Sequence, residues 1–229
     1  MQLKFVEHKK EAGDGVSFIF EPQEALSWVA GQFLVYHLPH ENADVRGIQR
    51  FFTISAAPYE NHVMLTTRIF AENPSTFKQA LMKMNQGNTV DTKGPDGDFI
   101  LTEPEKNYVF IAGGIGITPF RSIILDLAHK NEPLNIELLY ANKTDEFFFK
   151  EELEKIASEH PSFKIQYVIS PTHIDQNYIE QNVEDWENKI FYVSGPEPMV
   201  EAFDKMLKQD MKIKEENVKT DYFPGYDPI

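Results

Sequence analysis

The pattern of the sequence changes once, near Pro104, and this change constrains the fold more than any other feature. Before it, short runs rich in aromatic and β-branched residues are separated by turn-forming residues, which predicts successive strands of a barrel or sandwich. After it, apolar runs alternate with amphipathic segments, which predicts a parallel sheet with helices on both faces. We therefore expect two domains, residues 1–103 and 104–229.

Six runs of the first half are predicted as strands: FVEHKK, GVSFIFEP, GQFLVYHLP, RFFTISAAP, HVMLTTRIF and NTVDTKGPDGDFIL. The segment STFKQALMKMNQ differs, because Phe77, Leu81, Met82 and Met84 recur at roughly helical spacing after Ser75, a residue suited to an N-cap. The first domain is therefore predicted as an antiparallel β-barrel that contains one short helix.

Composition excludes several classes of function. The hydrophobic fraction of 41% and charged fraction of 25% are those of an ordinary globular protein. With no cysteine, this chain can form neither a disulfide nor a Cys-ligated zinc or iron–sulfur site. The seven histidines lack metal-ligand spacing, and the net charge of −14 argues against nucleic-acid binding. Apolar runs are too short for membrane insertion, so a cytoplasmic location is expected.

A glycine-rich segment, AGGIGITPF at residues 112–120, follows an apolar strand and opens a predicted helix. Gly113, Gly114 and Gly116 remove side chains at this point, so a pyrophosphate can approach the backbone N–H groups at the helix N-terminus. The pattern departs from GxGxxG because Pro119 takes the third position. A glycine turn that serves only the chain reversal remains an alternative.

The strand RFFTIS places Arg50, Phe52 and Ile54 on one side, because alternate side chains of a strand share a face. Thr53 and Ser55 lie on the other side or at a bend. An arginine suits a diphosphate and a phenyl ring suits a flat ring system. An edge strand with a solvated arginine and a core phenylalanine remains an alternative.

Three segments together resemble one family. RFFTIS resembles the RxYSxxS-type flavin motif of the ferredoxin–NADP reductase superfamily, AGGIGITPF its nicotinamide-domain glycine loop, and YVSGPEPMV at residues 192–200 its CGPxxM motif. GPDGDF at residues 94–99 is similar to the turn that closes the flavin barrel. The order and spacing fit over essentially the whole chain. The resemblance implies an FAD-binding β-barrel followed by an NAD(P)-binding doubly wound α/β domain.

The resemblance also implies roles for the residues that would bind FAD. Arg50 would bind the FAD pyrophosphate, Phe52 would pack on the flavin or its ribityl region, and Thr53 would offer its hydroxyl to flavin N5. Ser75 and Thr76 match small hydroxyl residues that face the FAD phosphates, although Ser75 can equally serve as an N-cap alone. Four further residues are expected to contribute to cofactor binding: Ile54, Ser55, Thr67 and Arg68.

On the nucleotide side, the resemblance implies that Ser194 stands where many relatives carry a cysteine near the reacting nicotinamide carbon. This substitution bears on the rate of hydride transfer, and we treat Ser194 and Thr53 as the candidate catalytic residues. Phe223 and Tyr226 are candidates to cover the flavin, although a tail that only docks on the body remains an alternative. The residues expected to hold the nucleotide are Gly113, Gly114, Gly116, Thr118, Pro119, Gly195, Pro196, Glu197 and Met199.

The choice of coenzyme rests on the residues after the strand LLYAN. Lys143 could neutralise a 2′-phosphate, whereas Asp145 could accept from a free 2′-hydroxyl. The lack of a clear arginine pair favours NADH over NADPH.

The implied function is hydride transfer from NAD(P)H to bound FAD, followed by electron transfer to a separate acceptor. Ferredoxin, flavodoxin, an oxygenase component, and free flavin or ferric complexes are all compatible acceptors. One alternative is an FAD-binding subunit that passes electrons within a larger redox complex without turnover of its own. Another is a nucleotide-sensing module without flavin chemistry. The direction of electron flow and the oligomeric state are left open.

Overall fold

The computed structural model describes residues 1–70 and 75–223. It contains a curled antiparallel sheet of six strands, built from the first part of the chain, and a parallel sheet of five strands built from the rest. The predicted fold class, an antiparallel β-barrel followed by a doubly wound α/β domain, is confirmed.

The first sheet has the strand order β4-β3-β6-β1-β2-β5. Its interior is filled by large apolar side chains, among them Phe18, Phe20 and Leu65, and the helix α1 closes it with Phe77 and Leu81. The elements are β1 (Gln2–Lys10), β2 (Gly15–Pro22), β3 (Phe33–His37), β4 (Gln49–Thr53), β5 (Val63–Arg68), α1 (Thr76–Met82) and β6 (Thr89–Asp96).

The second sheet has the order β11-β10-β7-β8-β9, and each neighbouring pair in it is parallel. Its elements are β7 (Tyr108–Gly113), α2 (Ile117–Lys130), β8 (Ile136–Asn142), α3 (Lys150–Glu159), β9 (Lys164–Ile169), α4 (Gln176–Asn182), β10 (Ile190–Pro196), α5 (Glu197–Lys205) and β11 (Val218–Phe223).

Two apolar clusters cover the two faces of the parallel sheet. On one face, Phe120 of α2 and Leu153 of α3 pack against β-strand residues such as Leu138. On the other, Ile179 of α4 and Phe203 of α5 pack against a separate set of strand residues. The near-continuous apolar strands of the second half are therefore buried on both sides, as parallel strands require.

Two elements differ from the sequence-based expectation. The segment FFFKEELEKIASEH predicts one helix that includes all three phenylalanines, but α3 begins at Lys150 because Phe149 has a left-handed backbone with φ of 57°. Phe147 and Phe148 are instead buried in the core beside the sheet. The segment KTDYFPGYDPI, residues 219–229, is predicted as a tail, but its described part, residues 219–223, belongs to the edge strand β11.

The domains contact each other directly through polar as well as apolar groups. The Arg68 guanidinium bridges Asp14 of its own domain, at 3.2 Å, and Asn142 Oδ1 of the other, at 3.0 Å. Ser122 Oγ on α2 donates to the carbonyl of Ala56 at 2.8 Å. These bonds fix how the two sheets face each other at the cleft described below. In the described part of the chain, every helix is too short or too polar to cross a bilayer.

Candidate cofactor site

A cleft of about 600 Å³ lies where the two domains meet. The barrel contributes the strand β4, the end of β5 and the start of α1, and the α/β domain contributes the glycine turn and the strand β11. The residues that line it are Phe33, Arg46, Gln49, Arg50, Phe51, Phe52, Thr53, Thr66, Thr67, Ile69, Phe70, Ser75, Lys78, Ile115, Thr118, Thr220, Asp221, Tyr222 and Phe223.

Arg50 lies in this cleft with its guanidinium held by its own loop. Nη2 donates to Asp44 Oδ1 at 2.7 Å, and Nη1 donates to three backbone carbonyls, including that of Gly47 at 2.9 Å. Burial alone would raise the pKa of Asp44, but the backbone N–H of Arg46 and the Arg50 guanidinium outweigh it and lower that pKa to about 2. Asp44 is therefore ionised and holds Arg50 in one orientation.

The flavin-strand residues divide between the cleft and the interior. Phe52 lines the cleft and meets the rings of Tyr36 and Phe77 at centroid distances of 5.7 and 5.9 Å. Thr53 also lines the cleft and is 5% exposed. Ile54, by contrast, is fully buried in the barrel core. The cleft is thus offered an aromatic ring and a hydroxyl from adjacent positions.

Ser55 is bonded inside the protein. Its Oγ donates to the carbonyl of Met64 at 2.9 Å and lies 2.8 Å from Thr66 Oγ1. Thr67 and Arg68 are also predicted to contribute to cofactor binding. Thr67 lines the cleft, whereas the Arg68 guanidinium is hydrogen-bonded to both domains. The structure therefore gives Ser55 and Arg68 supporting contacts, and it brings Thr66, which the sequence analysis did not select, to the cleft.

The two hydroxyls at the start of α1 are placed differently. Ser75 lines the cleft, and its buried Oγ has no hydrogen-bond partner among the described residues. Thr76 Oγ1 accepts from the backbone N–H of Asp44 at 3.1 Å and lies 3.0 Å from His40 Nε2. The Ser75 hydroxyl is thus placed to bind a ligand, while Thr76 stabilises the loop that carries Asp44 through a hydrogen bond.

The glycine turn brings β7 against β10 at the inner end of the cleft. A Cβ on Gly116 would lie 2.1 Å from the carbonyl oxygen of Ser194, so only glycine fits there. Gly114 has φ of 51°, in the left-handed region that glycine adopts without strain. Thr118 lines the cleft, with its Oγ1 donating to the carbonyl of Ile115 at 3.1 Å. Gly113 and Pro119 are buried at the two ends of this turn.

The segment from the end of β10 to the start of α5, residues 194–199, packs against that turn. Ser194 and Gly195 are buried at the end of β10, and Ser194 Oγ has no partner in the described part of the chain. The Gly195 backbone approaches Met199, since a Cβ there would lie 2.8 Å from the Met199 terminal methyl. Pro196 ends the strand and Glu197 begins α5. The two glycine segments therefore form one continuous backbone surface.

The carboxyl of Asp221 was missed by the sequence analysis. It lines the cleft on β11, where its register partner on β10 is Ser194. Burial, together with the negative charge of Asp98, raises the pKa of Asp221 to about 7. A hydrogen bond from the backbone N–H of Tyr222 lowers this pKa but does not offset the increase. An acidic residue directly before two aromatic residues, in TDYF, was the available signal.

The aromatic residues of the same strand reach the cleft as well. Tyr222, which is 53% exposed, and Phe223 both line it. Tyr226, the other predicted flavin cover, lies outside the described residues. In the loop expected to select the coenzyme, Lys143 and Asp145 are exposed, whereas Asn142 is buried and bonded to Glu146 and Arg68.

The donor set of the cleft fits FAD. Arg50, Arg46 and Lys78 supply positive charge beside the Ser75 hydroxyl, which has no hydrogen-bond partner in the described ranges, and this combination suits a pyrophosphate. Phe52 and Thr53 supply a ring and a hydroxyl for a flat heterocycle with polar edges.

Comparisons with known proteins agree with this fit. A family model described as the oxidoreductase NAD-binding domain matches residues 110–205. One component of the Na⁺-translocating NADH–quinone reductase of Klebsiella pneumoniae, the one designated F, is 30% identical over 203 residues, which cover 77% of this chain and 49% of the relative. This chain spans about half the length of the curated relatives of that kind.

Solved structures match both domains at once. The FAD/NAD-binding domain of nitric oxide dioxygenase from Vibrio cholerae superposes with a TM-score of 0.84 at 21% identity, covering 97% of this chain and 98% of that one. Ferredoxin–NADP⁺ reductase from Plasmodium falciparum superposes with a TM-score of 0.80 at 17% identity, covering 97% and 95%. The fold and the cleft are similar to those of FAD- and NAD-binding reductase domains, and the family match places an NAD-binding domain in the second half of the chain. The chain as a whole has the two-domain fold of the ferredoxin–NADP reductase-like superfamily, and residues 110–205 match the oxidoreductase NAD-binding domain.

Proposed function

We propose that this chain transfers a hydride from NADH or NADPH to bound FAD and passes the electrons to a separate acceptor. The observation that carries the proposal is a shared cleft, in which the flavin-strand residues Arg50, Phe52 and Thr53 face the glycine-turn residues Ile115 and Thr118. Hydride transfer needs two ring systems held face to face in one water-poor space. A cleft walled by both domains supports that arrangement.

Within this proposal, residues 1–103 hold FAD and residues 104–229 hold the nucleotide. Arg50 and Ser75 bind the FAD phosphates, Phe52 packs on the flavin region, and Thr53 donates a hydrogen bond at flavin N5. FAD, when bound, supplies the hydride-accepting ring and can release electrons singly or in pairs. Phe223 or Tyr222 on β11 covers the flavin from solvent when no nucleotide is present.

The nucleotide would lie along residues 113–116 and 194–199, where the glycines let a pyrophosphate approach the backbone N–H groups at the start of α2. Ser194 Oγ and the Asp221 carboxyl then flank the nicotinamide. The partly buried carboxyl, with its pKa near neutrality, can hold or release a proton during turnover. We propose NADH as the preferred donor because residues 142–146 contain no arginine and Asp145 is exposed for a ribose hydroxyl.

The acceptor is proposed to be a separate molecule, because this chain has no cysteine for an iron–sulfur centre of its own. The exposed rings of Phe51 and Tyr222 at the cleft leave an apolar rim through which an acceptor protein or a small flavin or ferric complex can approach. A second candidate is an electron-transfer component of a larger complex. It is supported by the 30% identity to one component of an NADH–quinone reductase.

Anaerobic stopped-flow absorbance tests the proposal. Purified protein reconstituted with FAD is mixed with NADH or NADPH, and the flavin absorbance band is followed. Rapid bleaching, faster with NADH, is expected, followed by recovery when ferric complexes, free flavin, ferredoxin or flavodoxin are added. A flavin that bleaches but is reoxidised by none of these supports the second candidate. A flavin that neither coenzyme reduces overturns the proposal.

A further inference from the structure

The guanidinium of Arg121 is almost completely buried at the boundary between the domains. Arg121 is 5% exposed and lies on α2, one helical turn after the cleft residue Thr118. Neither the motifs nor the cleft lining accounts for it. A charge at this depth is costly unless every donor is paired, so its partners indicate what it does.

All five N–H donors of Arg121 are used. Nη1 donates to the backbone carbonyl of Ser55 at 2.7 Å and to Glu60 Oε2 at 2.8 Å, and Nη2 donates to Glu60 Oε1 at 3.1 Å. Nε and Nη2 donate to the two carboxylate oxygens of Glu152, at 2.7 and 2.8 Å. The ring of Phe149 lies against the guanidinium, with its centroid 5.0 Å from Cζ. An arginine has no further donor to offer.

The bonds divide between the two domains. Three go to the barrel, to Ser55 and Glu60, and two go to Glu152 on α3 of the α/β domain. Burial by itself would lower the pKa of Arg121, but the bonds and charges of Glu60 and Glu152 raise it above its ordinary value. The ion pair with Arg121 likewise outweighs burial and lowers the pKa of Glu60. Both shifts favour the charged forms of Arg121 and Glu60.

The position of this cluster relates it to the cleft. Ser55 comes two residues after Thr53 on the flavin side, about 7 Å along an extended chain. Arg121 comes three residues after Thr118 on the nucleotide side, about 4.5 Å along the helix. One rigid, fully bonded side chain therefore connects the two walls over a short path. Ser55 also holds the cleft residue Thr66 through its hydroxyl, at 2.8 Å.

Stability alone is a weak explanation for such a group. A buried ion cluster is commonly no more stabilising than apolar side chains of the same volume, because desolvation offsets the attraction. What distinguishes the Arg121 cluster is its geometry. A planar guanidinium whose donors are all bonded permits only one arrangement of the groups around it.

We propose that Arg121 is a positioning residue that sets the spacing between the flavin strand and the nucleotide turn, and thereby the rate of hydride transfer, without contacting either cofactor. This inference rests on the proposed function. Because small errors in the alignment of reacting atoms slow a reaction strongly, loosening the barrel side of the cluster should lower the rate at saturating nucleotide.

The two carboxylates provide a matched pair of variants. Glu60→Gln weakens the bonds that cross to the barrel, because an amide presents one acceptor and one donor to the guanidinium. Glu152→Gln makes the same chemical change on the domain that carries Arg121. Flavin reduction at saturating NADH is expected to slow 10- to 100-fold in Glu60→Gln and no more than threefold in Glu152→Gln. The dissociation constant for FAD, measured by flavin fluorescence, should change less than threefold in both.

A third variant separates charge from geometry. Arg121→Lys keeps the positive charge but carries three donors on one atom, so it cannot make the five bonds through which the planar guanidinium holds Glu60, Glu152 and the Ser55 carbonyl. Its reduction rate should resemble that of Glu60→Gln, and hydrogen exchange of residues 53–55 should increase in both variants relative to Glu152→Gln.

The outcomes distinguish the two levels of the proposal. If the wild-type flavin is reduced but Glu60→Gln and Arg121→Lys react at the wild-type rate, the positioning role is wrong while the function stands. If Glu60→Gln and Glu152→Gln slow equally, in step with their melting temperatures, the cluster is only structural and the inference is again wrong. If neither coenzyme reduces the wild-type flavin, the proposed function fails and this inference fails with it.

Discussion

Ser194 and Asp221 are register partners on the parallel strands β10 and β11. One is a fully buried hydroxyl without a partner in the described part of the chain, and the other is a carboxyl whose pKa burial raises to about 7. Unsatisfied or partly charged groups of this kind weaken a folded protein, and they are retained where a ligand needs them. This pair therefore leads to two predictions, one on stability and activity together and one on the pH dependence of stability.

Ser194→Ala is expected to raise the free energy of unfolding by about 1 kcal/mol, because it removes a buried hydroxyl that makes no hydrogen bond to any described residue. The same change should slow flavin reduction by NADH at least fivefold if the hydroxyl serves the nicotinamide. Urea unfolding and stopped-flow absorbance give the two readings. Ser194→Cys, which keeps a polarisable group of similar size, is the control and should retain more of the rate. A loss of stability in Ser194→Ala would mean that the hydroxyl is hydrogen-bonded in solution.

Asp221→Asn is expected to change the pH dependence of stability in the cofactor-free protein. Because the folded-state pKa of about 7 lies above the unfolded value of 3.8, the folded protein binds one more proton between these limits. Wild-type stability therefore falls as pH rises through this window, by about 2 kcal/mol after allowance for partial exposure of the side chain. Asparagine should remove this fall. Urea unfolding at pH 4.5 should therefore give nearly equal free energies for the wild type and Asp221→Asn. At pH 8 the variant should be more stable than the wild type.

Gly116→Ala is expected to cost about 2–4 kcal/mol, because the added methyl would lie 2.1 Å from the Ser194 carbonyl oxygen and must push two strands apart. Gly87→Ala is the comparison: its Cβ would meet open space, but its φ of 90° is unfavourable for alanine, so about 1 kcal/mol is expected. Denaturant midpoints of the two variants measure the difference. Equal costs would show that the β7–β10 contact relaxes without strain.

Arg50→Ala is expected to weaken FAD binding 10- to 100-fold, since it removes the cation whose orientation Asp44 fixes in the cleft. Lys93→Ala removes an equal charge from an exposed position on β6 of the same domain and should leave FAD affinity within twofold. Ultrafiltration followed by flavin absorbance measures the bound fraction. Stoichiometric FAD in Arg50→Ala after dilution would refute the assignment of the phosphate site.

Much of the fold could be predicted because it follows from local periodicity. The six barrel strands and the alternation of the second half were visible as apolar runs bounded by turn residues, and β7 and β10 are buried almost throughout, as their sequences indicate. The start of α3 could not be predicted. Phe147 and Phe148 suit a helix locally, but burial beside the sheet and the left-handed backbone of Phe149 prevail over propensity.

The site was predictable only where a motif marks it. Arg50, Thr53 and the glycine turn belong to contiguous segments with a recognisable pattern, whereas Thr66 and Asp221 reach the cleft through strand pairing between distant parts of the chain. The same reason explains Arg68 and Thr76, whose partners Asn142 and Asp44 lie 74 and 32 positions away. Contacts of that range leave no local signal in one sequence.

The strand β11 is the last element of the chain to be made among those described, and it supplies one wall of the cleft. The barrel strands end at Asp96, so a ribosome that adds 5–20 residues per second leaves an interval on the order of ten seconds between the two events. During that interval the barrel side of the cleft, with its aromatic residues, is not yet covered by β11. The cleft therefore acquires its last described wall only when β11 pairs with β10, well after the barrel strands have been made.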